Sequence, residues 1–475
     1  MSTIAKSLAP EVRANILDRR TVWRWHFYAG LFCIPFVLWL SVTGTAFLFH
    51  PQIQQILDRP YDQLSIARRA PASAQIQAAV AAVPGATLDS YQLPHSSTSA
   101  SQVLVDTGAL QFRVYIHPES LAVLKIQNED HRIDVFTSRL HGELLMGKYG
   151  SWIVELAGSW AVVMIITGLF LWWPENARRL GGVLYPRLGL SGRPFWKDVH
   201  SVFGIYVSVF ALFLLLTGLP WAKSWGGYLK AIRHFTAGRA VTQDWTTSSA
   251  EVMAARQARS DMHDMQAMGE HAQHNAVYGR HSTTLAGPNA FAVIDAMVPV
   301  VADLKLTEPV LISPPMAAGG NWTARSDTRN RPLRVDLVLD GTTGALLKRT
   351  DFHSKPWLDR IIGVGIAAHE GRLFGLANQL MSLFTTVCLF VLSVSGLVMW
   401  QKRKPEGVLG APLRAREVRF PAMLLTAMAL LGVYFPFLGG SMILVFLAER
   451  FILRKMPSAQ RWLGLAPDAG KAVSS

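Results

Sequence analysis

Arg24-Trp25-His26-Phe27-Tyr28-Ala29-Gly30 returns later in the chain as Asp198-Val199-His200-Ser201-Val202-Phe203-Gly204, a histidine with a glycine four residues on, at the head of an apolar run. Leu140-His141-Gly142-Glu143 has its own echo in Ala368-His369-Glu370-Gly371. His26 and His200 each stand 18 residues before the glycine of a Thr-Gly pair, Gly44 and Gly218. His141 and His369 each stand 27 residues before the glycine of a Thr-Gly or Ser-Gly pair, Gly168 and Gly396. The chain therefore reads as a duplication with one histidine at the mouth of each of four membrane helices. An imidazole buried there is costly unless it pairs or binds metal, and paired transmembrane imidazoles point to haem.

The bulk composition agrees. Half of the 475 residues are hydrophobic, and the apolar runs reach the roughly 20 residues that span a bilayer. The predicted fold class is an α-helical membrane protein with α+β outer domains, an internally duplicated four-helix core and a C-terminal apolar hairpin. Residues 1–25 form a cytoplasmic N-terminus. Spans at 26–49 and 152–173 flank a first outer domain, 50–150, and after a loop at 174–198, spans at 199–221 and 376–400 flank a second, 222–375. A loop at 401–419, an apolar stretch at 420–449 broken around Pro436 and Gly439-Gly440, and a tail at 450–475 complete the chain. The 420–449 stretch is too long for one span and reads as two shorter helices. The first span is longer than a signal-peptide core, which is about 7–15 residues, and no small-residue cleavage site follows it.

The net charge of +14 is explained by topology. Arg13, Arg19, Arg20 and Arg24 precede the first span. Arg178, Arg179, Arg187, Arg193 and Lys197 separate the second and third, and Lys402, Arg403, Lys404, Arg414, Arg416 and Arg419 follow the fourth. With alternating spans all of these fall on the cytoplasmic side of the membrane; membrane lipid is the expected partner and nucleic acid is not. Cys33 and Cys388 both lie inside spans, which leaves no disulfide framework and no cysteine metal site.

Each outer domain carries helix and strand signals. The first has a helix at Ser73–Ala82 and a hairpin of Gln111–His117 with Leu121–Ile126 across Pro118-Glu119-Ser120. The second has a helix at Phe291–Leu304 and a hairpin of Arg334–Asp340 with Ala345–Arg349 across Gly341-Thr-Thr-Gly344. These read as two small α+β units, one per half. The second carries some 54 extra residues, chiefly 250–283, where Met262, His263, Met265, Met268 and His271 cluster. Thioether and imidazole donors suit Cu(I), while a polar insertion with ordinary surface methionines explains the same composition.

Topology pairs one histidine from each half on each side of the membrane, His26 with His200 on the inner side and His141 with His369 on the outer. Each pair suits a bis-histidine haem b, a centre for electron transfer. Gly30 and Gly204, one turn after their histidines, leave bare backbone for a porphyrin face, and Gly147 and Gly375 follow the outer histidines by six residues. Arg24, Lys197, Lys148 and Arg372 are the expected partners of haem propionates. One histidine at a membrane boundary is ordinarily an interfacial residue; four in register are not. His50, whose counterpart by the same offset is Ser224, breaks the repeat and reads as interfacial, with the alternative that it replaces an outer ligand. His117 aligns with Asp340 at a hairpin turn and reads as structural. Trp172-Trp173 and Trp400 fit an aromatic belt.

These residues resemble the PepSY-associated transmembrane family, which includes iron-uptake factors and FoxB-type ferrisiderophore reductases of bacterial inner membranes. The resemblance extends to about residue 404 and rests on Arg24-Trp25-His26-x-x-x-Gly30, Leu140-His141-Gly142-Glu143, His200-x-x-x-Gly204 and Ala368-His369-Glu370-Gly371. It implies PepSY-like periplasmic domains and two bis-histidine haems. It also implies an oxidoreductase that passes electrons outward to an Fe(III)-siderophore, releasing Fe(II) for iron uptake. No nucleotide-binding glycine fingerprint follows a strand, so a quinol or a separate reductase is the expected donor. Two rivals stand beside this reading: haem-dependent electron transfer to copper or quinone, and a non-enzymatic membrane-anchored binding or regulatory module. A transporter is a poorer fit, since no ionisable residue other than Glu155, near one end of its span, offers a mid-span step on an ion path.

Overall fold

The computed structural model describes residues 18–174, 180–237, 291–315, 319–412 and 422–465. The Met/His-rich insertion with Met262, His263, Met265, Met268 and His271 lies outside these, as do Arg13, Arg178, Arg179, Arg414, Arg416 and Arg419. In chain order the first half contains α1 (Arg19–Leu48), α2 (His50–Asp62), α3 (Ala72–Ala82), strands β1 (Thr87–Gln92), β2 (Ser101–Asp106), β3 (Gln111–Ile116) and β4 (Val123–Asn128), then α4 (Ile133–Glu143) and α5 (Lys148–Trp172). The second half runs α6 (Gly192–Gly218), α7 (Lys223–Ala237), α8 (Val293–Asp303), β5 (Val310–Ser313), β6 (Trp322–Ser326), β7 (Val335–Leu339), β8 (Leu346–Asp351), α9 (Trp357–His369) and α10 (Leu376–Arg403). Helices α11 (Ala422–Tyr434), α12 (Pro436–Phe451) and α13 (Pro457–Leu463) follow.

The chain divides into a helical unit (Met1–Thr45, Gly142–Val241, Leu383–Ser475) and a sheet unit (Ala46–His141, Thr242–Ser382). Among the described residues, five helices are long and apolar enough to cross a membrane: α1, α5, Gly192–Trp221, α10 and Pro436–Lys455. The stretch expected as two shorter helices holds two, α11 of 13 residues and α12 of 16, broken before Pro436, and the helical run from Pro436 to Lys455 is long and apolar enough to cross a membrane. Pro436 explains the break, because a proline ends one helix and fits the first turn of the next. Pro35 inside α1 is tolerated as prolines in membrane helices are.

Within the helical unit, Val162 of α5 packs with Phe435 and with Leu438 of α12. The Trp160 indole donates to Ser441 Oγ at 3.0 Å. Glu155 has a structural role: its carboxylate accepts the backbone N–H groups of Ser224 and Trp225 (2.9 and 3.2 Å), two donors that the first turn of α7 leaves without helical partners. Cys33 and Cys388 are buried free thiols, with Cys33 Sγ 3.7 Å from the Ala157 carbonyl.

The sheet unit corrects the expectation of two small domains. All eight strands form one antiparallel sheet in the order β4-β3-β2-β1-β5-β6-β7-β8. The second four strands repeat the order of the first outward from the centre, where Tyr91 pairs with Ile312 and Gln92 with Leu311. Helices α3 and α8 contribute Ile76, Ala79, Ile294, Met297 and Val301 to the same core as Val103, Val105, Val114, Ile312, Trp322, Leu337 and Leu339. The physical reason is the open edge. A four-stranded unit standing alone exposes the backbone of β1 or β5, and pairing the two removes both edges and joins the cores. The outermost strand β8 is exposed and carries Lys348 and Arg349, charges that discourage further pairing.

A chain of ion pairs runs through this unit. Arg113 binds Glu129 (2.7 Å), Arg132 lies 3.8 Å from Glu129 and 3.2 Å from Asp134, and Arg329 reaches Asp134 at 3.0 Å and Glu370 at 3.7 Å. Burial alone would raise the Asp134 carboxyl, but the Arg132 and Arg329 guanidinium groups outweigh it and hold it well below the usual range. Asp134→Asn is expected to lower stability by about 2–4 kcal/mol, since it strands two half-buried cations. This is measurable as a drop of several degrees in the melting temperature of the detergent-purified protein. The Asp134 contribution is present above its ordinary pKa of 3.8 and is lost on acidification below it.

Candidate functional site

His26 on α1 and His200 on α6 lie together in the helical unit, their ring centroids 6.2 Å apart and their planes at 82°. Their Nδ1 atoms are held alike. His26 Nδ1 lies 3.0 Å from the Met164 carbonyl and 3.1 Å from Thr167 Oγ1 on α5. His200 Nδ1 lies 3.1 Å from both the Leu392 carbonyl and Ser395 Oγ on α10. A carbonyl only accepts, so each Nδ1 carries the proton and donates, which leaves Nε2 as the nitrogen with the lone pair. That is the tautomer a metal-binding imidazole requires. Two imidazoles on one metal, each bonded at about 2 Å, put their ring centres about 6 Å apart; the observed separation agrees.

Both rings line a cavity of about 510 Å³, within the roughly 300–1,000 Å³ typical of cofactor and ligand sites. Its wall repeats itself. Residues of α1 and α6 that are 174 apart line it together, as Arg19 with Arg193, Gly30 with Gly204 and Val37 with Ala211. Residues of α5 and α10 that are 228 apart do the same, as Met164 with Leu392, Gly168 with Gly396 and Trp172 with Trp400. Of the 31 lining residues, 28 fall into 14 such pairs, so the cavity presents nearly the same surface from two sides.

Several site residues take other places than expected. Gly30 and Gly204 line the cavity, and so does Lys197. Arg24 does not: its guanidinium donates to the Pro412 and Gly464 carbonyls (2.8 and 2.6 Å) and to Tyr28 (3.2 Å). The cations that do line it are Arg19, Arg193, Lys197 and Arg403. Trp172 and Trp400, expected in an aromatic belt, face the same cavity and donate their indole N–H to Val183 and Leu409 carbonyls (3.1 and 2.8 Å). Trp173 is exposed.

His141 and His369 belong to the sheet unit, on α4 and at the end of α9, rather than at the heads of the spans. Both are half-buried, and burial with the neighbouring His369 pushes the His141 pKa down to about 4. Arg329 ties their segments together, through Asp134 two turns before His141 on α4 and through Glu370 next to His369. Nothing in the sequence spacing marks Arg329 for this role. Gly147 and Gly375 carry matched positive φ values (58° and 57°) at the turns into α5 and α10, so they serve chain reversal rather than a bare cofactor face. Lys148 belongs to the helical unit and stacks on Tyr149. Arg372 reaches the Leu48 carbonyl at 3.4 Å, and its buried Nε has no hydrogen-bond partner among the described residues.

His50, the first residue of α2, is buried. Burial, reinforced by Arg329, pushes its pKa down to about 4. His117 accepts the backbone N–H groups of Glu119 and Ser120 at the β3–β4 turn, and Asp340 accepts those of Thr342 and Thr343 at the matching β7–β8 turn.

These features define a multi-pass membrane protein with an antiparallel sheet unit and a histidine-lined cavity. The family described as PepSY-associated TM region matches residues 23–403, and the chain belongs to it. No functionally curated protein matches the chain.

The glycines at the cavity predict an asymmetry. A Cβ on Gly168 would stand 3.1 Å from His26 Cε1, tighter than ordinary packing, whereas on Gly396 it would stand 3.6 Å from His200 Cε1. Gly168→Ala is expected to displace His26 and lower the melting temperature by a few degrees. Gly396→Ala is expected to leave it unchanged or raise it slightly, since Ala is favoured over Gly in a helix by up to about 1 kcal/mol.

Proposed function

We propose that the protein is a dihaem electron-transfer protein of a bacterial inner membrane that reduces an Fe(III)-siderophore on the periplasmic side, so that Fe(II) is released for iron uptake. The observation that carries this reading is the His26–His200 pair, with both Nδ1 atoms protonated and both rings at the separation of two ligands on one metal. The repeated cavity wall and the repeated strand order support an internal duplication, and His141 with His369 is then the second ligand pair. The basic residues before α1, between α5 and α6 and after α10 support a cytoplasmic N-terminus and a periplasmic sheet unit.

Haem b, when bound, supplies a reversible one-electron Fe(III)/Fe(II) couple. His26 and His200 offer Nε2 lone pairs, Gly30 and Gly204 leave the cavity wall flat, and Arg193, Lys197 and Arg19, the last also bonded to the Leu171 and Trp173 carbonyls, bring positive charge to the wall for carboxylates. Burial and the neighbouring His369 keep His141 neutral at physiological pH, as a ligand must be, and Arg329 fixes the segments of both histidines. The net reaction adds one electron, from a quinol or a separate reductase, to the Fe(III) of the chelate. The hard oxygen donors of a siderophore hold Fe(II) more weakly, and the metal is released.

The test is an absorption spectrum of the detergent-purified protein, oxidised and dithionite-reduced, for wild type, His200→Ala and His369→Ala. Wild type is expected to show a bis-histidine b-type spectrum and each variant to lose about half of it. Reduced wild type is then expected to be reoxidised by a ferric siderophore at least tenfold faster than the variants. A featureless visible region after haem-replete expression sinks the reading and leaves a colourless binding module. Haem that transfers electrons to Cu(II) or quinone but not to ferric siderophore replaces the substrate.

A further inference from the structure

We infer that Thr167 and Ser395 are positioning residues for the inner histidine pair, holding each Nδ1–H with a second acceptor and thereby setting the reduction potential of the metal carried on Nε2. This rests on the reading of His26 and His200 as ligands. The hydroxyl protons are already committed: Thr167 Oγ1 donates back along α5 to the Val163 carbonyl (2.8 Å), and Ser395 Oγ donates to the Leu392 carbonyl (2.8 Å). Each hydroxyl oxygen therefore turns a lone pair toward the imidazole, and Nδ1–H meets two acceptors at once, a carbonyl and a hydroxyl.

Only a serine or threonine can satisfy its own proton on the helix backbone and still accept from a ring beside it. The next residue completes the seat. Gly168 admits the Cε1 edge of the His26 ring against the helix, where a Cβ would crowd it at 3.1 Å, whereas at Gly396 a Cβ would meet His200 Cε1 at an ordinary 3.6 Å. The Thr167-Gly168 step thus acts as a two-residue seat, the hydroxyl orienting the ring and the glycine letting it approach, while at Ser395-Gly396 the hydroxyl alone does the orienting.

An acceptor on Nδ1–H makes the imidazole a stronger electron donor through Nε2 and favours the ferric state. Removing the acceptor shifts the balance toward the ferrous state and raises the midpoint potential. Both substitutions act on the same iron, so their effects combine.

The experiment is a potentiometric titration, followed by visible absorbance, of full-length protein in detergent for wild type, Thr167→Val, Ser395→Ala, the double variant and Thr167→Ser. In the double variant the inner centre is expected to rise by about a tenfold change in the ferric–ferrous balance, or 59 mV for one electron. The other centre is expected to stay in place, and Thr167→Ser, which keeps the acceptor, to titrate as wild type. If Thr167→Val loses the haem, Ser395→Ala alone carries the measurement, with a smaller rise expected. Haem-loaded variants with unshifted midpoints overturn the inference, as does a Thr167→Ser shift equal to that of Thr167→Val. A colourless wild type instead overturns the ligand reading on which the inference rests.

Discussion

A helix carbonyl has two lone pairs, and a membrane span ordinarily uses one of them for its own ladder. Around His26 and His200 two carbonyls take on more than that, accepting from a side-chain hydroxyl and facing an imidazole as well. Met164 and Leu392 turn carbonyls toward the imidazoles, and that single acceptance fixes the tautomer, the ring orientation and the nitrogen left for chemistry. Everything around it accommodates this contact: the glycine that lets the ring come close, the hydroxyl that reinforces it, and the cavity into which both rings face.

The repetition of this contact also constrains the chain as a whole. One histidine-bearing helix and one carbonyl-bearing helix form a half-site, and a second copy supplies the opposite wall. The cavity wall is consequently built almost entirely from residue pairs at fixed sequence offsets. In the sheet unit the same economy appears differently, as a strand order read outward from the β1–β5 junction. There the coupling is through backbone hydrogen bonds and shared apolar burial. The two halves use different forces to meet in different units.

The histidines, their following glycines and the spans were legible because helical spacing and apolar length are direct sequence properties. The arginines were misread for a reason of phase. Arg24 lies two residues before His26 and so about 200° around the helix, whereas Arg19 and Arg193, seven residues before their histidines, fall on the histidine face. That heptad spacing, present at both histidines, was the available signal. The hairpins β3–β4 and β7–β8 were readable from alternation and turn residues. Strands β1 (Thr-Leu-Asp-Ser-Tyr-Gln) and β6 (Trp-Thr-Ala-Arg-Ser) were not, because their polar residues mask the apolar face until a helix packs on it. His50 escaped because burial among Arg329 and Asp134 is a tertiary fact, made by segments far apart in sequence.

The β1–β5 junction has a consequence for biogenesis. Gln92 and Leu311 pair across 219 intervening peptide bonds, and translation at about 5–20 residues per second separates their emergence by roughly 10–40 s. Throughout that interval the first meander has its inner edge uncovered, while two membrane helices and a long connection are still being made. The edge strand must therefore be shielded by slow local folding, by a chaperone or by simple dilution until its partner arrives. The half of the chain made first is the half most exposed to aggregation, and the second half protects it on arrival.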